Sequence, residues 1–284
     1  MLDMQFLNQL NRFSLIVRKK ITSNYSGGRR SIAVGRGLTI EDYRPYVTGD
    51  EIKLIDWKLY AKTDRLYVKQ FEEERSLTVH IILDKSTSMN FGKKITKFEY
   101  GAMIGVGFAY LAMKENDKFE FTMFDEELKT LRPKKGMSQV ASIVHLLKEV
   151  NVKGESNFVQ SMMKYKKLIT SRSLVIVISD FLYDKEEIKK GLLRLGKKNE
   201  VKVVQVLDRE EVDLKIEGDL NLHDSESDKT LHTYISKRMQ EKYQHMLDEH
   251  TVAVKDISTS LKAGFYQVVT DVPVFDTFYR ILKY

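Results

Sequence analysis

Leu77-Thr78-Val79-His80-Ile81-Ile82-Leu83-Asp84-Lys85-Ser86-Thr87-Ser88 decides the fold of this chain: an apolar run of strand length ends directly in a D-x-S-x-S turn. In an extended turn, positions i, i+2 and i+4 point the same way, so the Asp84 carboxylate and the Ser86 and Ser88 hydroxyls converge. Oxygen-only ligands of low charge suit Mg2+ or Mn2+, and neither thiolate nor imidazole is present to favour zinc or copper. Mg2+ requires near-octahedral oxygens and usually retains waters, so the remaining ligands must come from elsewhere in the chain or from a partner.

Working outward from this stretch, strand-length apolar runs alternate with helix-length amphipathic segments. The pattern predicts helices over Thr96–Glu115, Met137–Val150, Asn157–Thr170, Lys185–Leu195 and Tyr234–Leu261. Strands are predicted at Leu77–Leu83, Lys118–Phe124, Ser173–Ser179, Val201–Leu207 and Phe265–Val269, with Glu127–Leu131 as an antiparallel partner. The unbroken Ser-Leu-Val-Ile-Val-Ile-Ser of 173–179 reads as a central parallel strand covered on both faces. Such alternation implies an α/β fold: a doubly wound, mostly parallel sheet with helices on both faces. Ligands of these sheets bind beyond the carboxyl ends of the strands. Asp84 and Asp180 both fall there.

At 284 residues the chain is long enough for a substantial core, and 42% hydrophobic with 31% charged residues is ordinary for a globular protein. It contains no cysteine, which excludes disulfides, thiolate metal sites and a Cys nucleophile. The net charge of +7 is spread over the whole length and interleaved with acidic runs such as Glu72-Glu73-Glu74 and Asp208–Glu211, a pattern of solubility more than of nucleic-acid binding. No apolar stretch reaches the roughly 18 residues of a membrane span, the longest candidate being Gly101–Met113. The first twenty residues lack the order of a secretory signal, so a cytoplasmic location is expected.

The first seventy-six residues read as an extension of the domain at 77–284. Met1–Ile21 has the period of an amphipathic helix, with Leu2, Phe6, Leu10 and Phe13 on one side, and docking on the protein's own core is favoured over lying on a membrane. Ser26–Ser31 reads as a loop in which Arg29-Arg30 is solvated. Leu38–Val47, Ile52–Trp57 and Tyr67–Phe71 read as short extended pieces separated by turn signals at Thr48-Gly49-Asp50 and Thr63-Asp64. Too few periodic apolar positions are present for an independent core. The segment is therefore expected to wrap onto the domain. Arg44, Asp50, Asp56 and Trp57 read either as a partner surface or, in preference, as a structural ion pair of Arg44 with Asp56 beside a packed Trp57.

Gly37–Trp57 (GLTIEDYRPYVTGDEIKLIDW), Leu66–Phe71 (LYVKQF) and Asp84–Met89 (DKSTSM) together resemble the bacterial and archaeal family called domain of unknown function 58. Asp224-Ser225-Glu226 and Val269–Pro273 are similar to its later landmarks. The resemblance implies a von Willebrand factor A-like domain with a metal-ion-dependent adhesion site, in which a hydroxyl from a second loop and an aspartate from a third complete the D-x-S-x-S ligands. Carried onto this chain, the implied set is Asp84, Ser86, Ser88, Ser156 and Asp180 around Mg2+ or Mn2+. The family's second loop usually places a threonine after a glycine. Here Gly154-Glu155-Ser156 keeps the hydroxyl without the methyl that restricts its rotamer. The resemblance also implies a partner, a MoxR-type AAA+ ATPase, with this chain as a soluble adaptor; many relatives carry membrane segments that this chain lacks.

The plainer reading of Asp84, Ser86 and Ser88 is a helix-capping turn with serines bound to local backbone. Asp180 could likewise be a turn cap, and Asp125-Glu126-Glu127 reads as a hairpin turn. Catalytic patterns are missing: 92–96 does not have phosphate-cradling spacing, there is no G-x-S-x-G, and the six histidines have no metal-ligand spacing. The enzymatic alternative is Mg2+-dependent phosphoryl transfer with Asp84 as nucleophile, but Ser86 stands where a second carboxylate is wanted. The expected function is non-catalytic: a partner's Glu or Asp replaces a water on the bound ion.

Overall fold

The computed structural model describes residues 6, 8–11, 34–72, 78–154, 156–196, 198–214, 218–223 and 230–283. The sequence landmarks at 26–31 and 224–226, and most of the helix expected over 1–21, lie outside the described residues. Two compact units are present: residues 18–76, and residues 1–17 together with 77–284. Phe6 and 8–11 therefore belong with the later unit, where Phe6 and Leu10 are buried in its core.

The smaller unit is built on an antiparallel pair, β1 (Val34–Pro45) and β2 (Tyr67–Glu72), joined through the short helix α1 (Trp57–Thr63). Ile52–Trp57 is not extended as expected: Ile52–Leu54 is a 3-10 turn and Trp57 opens α1. The cause is local. Asp56 accepts hydrogen bonds from the Lys58 and Leu59 N–H groups and so caps α1. The same carboxylate faces Tyr43 Oη at 3.2 Å and Lys69 Nζ at 3.4 Å. Arg44 forks instead onto Asp50, at 2.7 Å for each nitrogen–oxygen pair, and the Asp50 carboxyl is held down to about 2 by the Arg44 hydrogen bonds. The ion pair expected between Arg44 and Asp56 is thus replaced by two separate partnerships. Trp57, expected to be packed, is 57% exposed, with Tyr60 edge-on to it.

In the larger unit, β3 (Thr78–Asp84) leads through a 3-10 turn at Thr87–Asn90 to α2 (Lys97–Lys114). There follow β4 (Lys118–Phe124), β5 (Leu128–Lys134), α3 (Met137–Lys148), α4 (Phe158–Lys166) and β6 (Ser173–Ser179). Next come α5 (Lys185–Gly196), β7 (Glu200–Leu207) and the one-turn α6 (Arg209–Val212). The chain closes with β8 (Gly218–His223), β9 (Thr230–Ile235), α7 (Lys237–Ser260), β10 (Gly264–Val269) and α8 (Val274–Lys283). The sheet order is β10-β7-β6-β3-β4-β5, all neighbours parallel except β4 with β5. This is the doubly wound, mostly parallel α/β architecture that the sequence predicts.

Helices cover both faces. On one, α2 presses Gly105 and Gly107 onto the core; a Cβ at Gly107 would meet the Phe278 ring at 2.0 Å, so only glycine lets α2 and α8 approach. The other face packs Phe158, Met162 and Tyr165 of α4 with Ile188, Leu192 and Leu195 of α5 and Val254 of α7. Within this second face lies a buried polar cluster: His80 Nδ1 is 2.8 Å from Tyr165 Oη and 3.8 Å from Glu120 Oε2.

The helix expected from Tyr234 begins only at Lys237, because Thr230–Ile235 pairs with β8 as a hairpin and Ser236 caps the helix through the Met239 N–H.

Candidate metal-binding site

Strand order reverses at β3: the chain builds β4 and β5 on one side of it, then β6, β7 and β10 on the other. The loops that leave the carboxyl ends of β3 and β6 therefore splay apart and leave a crevice between them. In register, Leu83 pairs with Ile178 and Asp84 with Phe124, which sets Asp84 beside Ser179 at the strand ends.

Asp84 is fully buried and both its oxygens are in use. Oδ1 accepts the Ser86 N–H at 2.9 Å; Oδ2 accepts the Ser179 hydroxyl at 2.7 Å and the Tyr183 phenol. Ser86 Oγ lies 3.1 Å from Ser88 Oγ. The Tyr183 oxygen is also 2.8 Å from Ser156 Oγ. A phenol has one proton, so with that proton on Asp84 the Ser156 hydroxyl donates to Tyr183. The second loop is fastened to the first by Thr87, whose N–H and hydroxyl both donate to the Gly154 carbonyl while the Gly154 N–H donates back to Thr87 Oγ1. Gly154 has a φ of +105°, a conformation that favours glycine.

The third loop is strained. Phe181, the residue after Asp180, has a φ of +53° although it is bulky and fully buried, a combination that persists only where the surroundings enforce it. Here its N–H donates to Ser179 Oγ, its carbonyl lies 2.7 Å from His250 Nε2, and its ring packs edge-on to Phe158. Asp180 Oδ2 in turn accepts from the Lys97 ammonium at 2.9 Å, and Lys97 also reaches Glu211 Oε1 at 2.7 Å. Burial pushes Lys97 down, yet Asp180 and Glu211 more than reverse this and hold its pKa above the ordinary lysine value.

The charges around the crevice do not balance. One ammonium, that of Lys97, serves both Asp180 and Glu211, and Asp84 beside them is pushed up to about 6 first by burial and then by the neighbouring Asp180 charge. Excess buried negative charge is costly unless a cation compensates it. The neighbouring hydroxyls of Ser86, Ser88 and Ser156 are hard oxygen donors, so the donor set fits Mg2+ or Mn2+. Among the described residues no cluster of three or more His, Cys, Asp or Glu has metal-holding geometry, so any ion here would depend on the serines. Phe91 and Leu182, which leave the first and third loops, are 44% and 45% exposed. An open cleft of about 530 Å³, lined by Glu126, Glu127, Ser156, Asn157, Gln160 and Lys164, adjoins the second loop.

Residues 42–253, well over half of the chain, match the model of the family described as protein of unknown function DUF58. The chain belongs to this family. Among its relatives, an uncharacterized protein of Mycobacterium tuberculosis strain H37Rv is 22% identical over 230 residues, covering 79% of this chain and 72% of the relative. Among solved structures, the conserved hypothetical protein BatB of Bacteroides thetaiotaomicron overlaps 73% of this chain and 100% of its own at 15% identity and a TM-score of 0.47. A von Willebrand factor type A structure from Catenulispora acidiphila overlaps 76% of this chain and 43% of its own at 8% identity and a TM-score of 0.43.

For this DUF58 chain, the structure places all five residues singled out from the sequence on three adjoining loops. Asp84, Ser86, Ser88 and Ser156 are joined through one hydrogen-bonded chain by way of Tyr183, and the charge of Asp180 bears on Asp84. Asp125 lies in the β4–β5 turn, as expected, and additionally pairs with Lys85 between Asp84 and Ser86. Sequence reasoning missed Tyr183, Ser179, Lys97 and Glu211. Tyr183 and Ser179 flank Asp180 and could have been suspected from proximity; Lys97 and Glu211 carry no local signal.

Proposed function

We propose that this chain is a non-catalytic protein-interaction module in which a divalent cation, Mg2+ or Mn2+, held at Asp84, Ser86, Ser88, Ser156 and Asp180, receives a carboxylate from a partner protein. The observation that carries this reading is the meeting of three serine hydroxyls with the buried carboxylates of Asp84 and Asp180, of which Asp180 shares the single Lys97 ammonium with Glu211, at a sheet switch point. Two aspartates neutralise the ion at most, so a partner's Glu or Asp completes its shell by displacing water. Exposed Phe91 and Leu182 on the same loops offer apolar contact around that bond. Ser86 stands where phosphoryl transfer wants a second carboxylate for acid/base work, which favours this reading over use of Asp84 as a phosphoryl-accepting nucleophile.

Family resemblance points to a MoxR-type AAA+ ATPase as the partner, with this chain as its adaptor. The test is capture of partners from a lysate with wild type and Asp84→Ala, each in Mg2+ and in EDTA. Enrichment of an AAA+ ATPase only by wild type in Mg2+ is the expected result. Metal-dependent turnover of a phosphoester panel that Asp84→Asn removes would instead make the chain an enzyme.

A further inference from the structure

We infer that Lys97 is a built-in cation that sets how tightly this site takes up its divalent ion, an inference that rests on the metal-binding reading above. The Lys97 side chain is 1% exposed, and its ammonium lies between Asp180 Oδ2 at 2.9 Å and Glu211 Oε1 at 2.7 Å. It is fixed from both sides. Lys97 is the first residue of α2, whose start is set by a reciprocal cap: Thr96 Oγ1 accepts the Glu99 N–H at 3.1 Å and Glu99 Oε2 accepts the Thr96 N–H at 3.0 Å. Its own N–H donates to the Phe91 carbonyl at 2.9 Å, closing the loop that carries the D-x-S-x-S run. Glu211 is anchored through Oε2, which accepts the Asp208 N–H at 2.8 Å.

A fixed positive charge on one of the two aspartates opposes a second cation at the same place, and in a buried setting that opposition is little screened. Lys97 thus neutralises Asp180 in part and weakens the site for a metal ion, while Glu211 weakens Lys97 in turn by sharing its charge. The two residues should act on metal affinity with opposite signs.

The experiment is calorimetric titration of Mg2+ into the full chain as wild type, Lys97→Met, Glu211→Gln and the double variant, with thermal unfolding of each in Mg2+ and in EDTA. Lys97→Met is expected to tighten Mg2+ about tenfold and to enlarge the stabilisation that Mg2+ gives; Glu211→Gln is expected to weaken Mg2+ several-fold; the double variant, which removes one charge of each sign, returns near wild type. Binding by Lys97→Met where wild type binds none also supports the inference. Equal Mg2+ affinity in all four proteins overturns it while leaving the metal reading intact, as does a Lys97→Met protein that is less stable by the same amount with and without Mg2+. Absence of Mg2+ binding in all four overturns both. If Lys97→Met does not fold, Glu211→Gln decides alone: weaker binding supports the inference, and unchanged or tighter binding overturns it.

Discussion

Two buried polar clusters lie on the same strand of this protein four residues apart, and they solve the burial of charge in opposite ways. Around His80, the imidazole, the Tyr165 phenol, Glu120, Thr122 and Thr130 form a closed network under α4. Burial pushes His80 down to about 4 and Glu120 up, so both groups are driven toward their uncharged forms. Around Asp84, one ammonium pairs with the neighbouring Asp180 and Glu211 carboxylates, and three serine hydroxyls stand on the adjoining loops. The first cluster sits mid-strand beneath a helix, where burial disfavours charge on both of its titratable groups. The second sits at the strand ends among three loops, and under the proposed function an ion there supplies the missing charge. A cluster that is complete specifies the fold; one that is incomplete invites a ligand.

The sharpest way to break this contrast is Asp84→Ala. If the open cluster takes a cation, this change abolishes Mg2+ binding, a loss of about a hundredfold or more by calorimetry, while the folded state survives because relief of a buried charge offsets the hydrogen bonds lost from Ser86, Ser179 and Tyr183. Global unfolding of the variant would mean that Asp84 is structural in the way His80 is.

Acid tests the closed cluster. An unfolded chain protonates His80 near 6.5, whereas the folded protein refuses the proton until about 4. The unfolded state therefore binds more protons between these values, so the contribution of His80 to stability is complete above about pH 6.5 and is lost as pH falls toward 4, by about 3 kcal/mol. Asp84, pushed up to about 6, works in the opposite sense, since the folded state takes its proton first and gains stability on acidification. The measurement is accordingly the difference between denaturant midpoints of wild type and His80→Gln from pH 7.5 to 4.5, in which the His80 contribution stands alone. Parallel profiles for the two proteins would break the account.

The two tyrosines sharpen the comparison further. Tyr165→Phe leaves His80 and Glu120 short of a buried partner and should cost about 2 kcal/mol of stability with no dependence on Mg2+. Tyr183→Phe frees Asp84 Oδ2 and Ser156 Oγ from the phenol, and its stacking on Phe158 is retained. It should change stability little and raise Mg2+ affinity a few-fold. If both variants lose stability alike and neither alters the response to Mg2+, the clusters do not differ in kind.

Much of this was legible in the sequence because it is written in short-range pattern. Lys118–Phe124 and Ser173–Ser179 appear in the structure with the bounds that the alternation of the first and the unbroken apolar run of the second predict. The β8–β9 hairpin and α8 were missed. Their segments are short, and Thr230–Ile235 continues smoothly into a helical period, so only pairing with Gly218–His223 ends the ambiguity. Arg44 was assigned to the wrong aspartate for a related reason: two acidic residues stood within reach in sequence, and it is the N-cap role of Asp56 that leaves Asp50 to the guanidinium.

The sequence by itself determined the alternation of strands and helices and the placement of Asp84 and Asp180 beyond strand ends, because periodicity and chain order are properties of neighbours along the chain. Only the tertiary structure decided that Lys97, Glu211 and Tyr183 converge on those aspartates. Lys97 lies 83 residues from Asp180, Tyr183 lies 99 from Asp84 and Glu211 lies 114 from Lys97, and no local pattern encodes a contact that exists only once the sheet has brought its loops together.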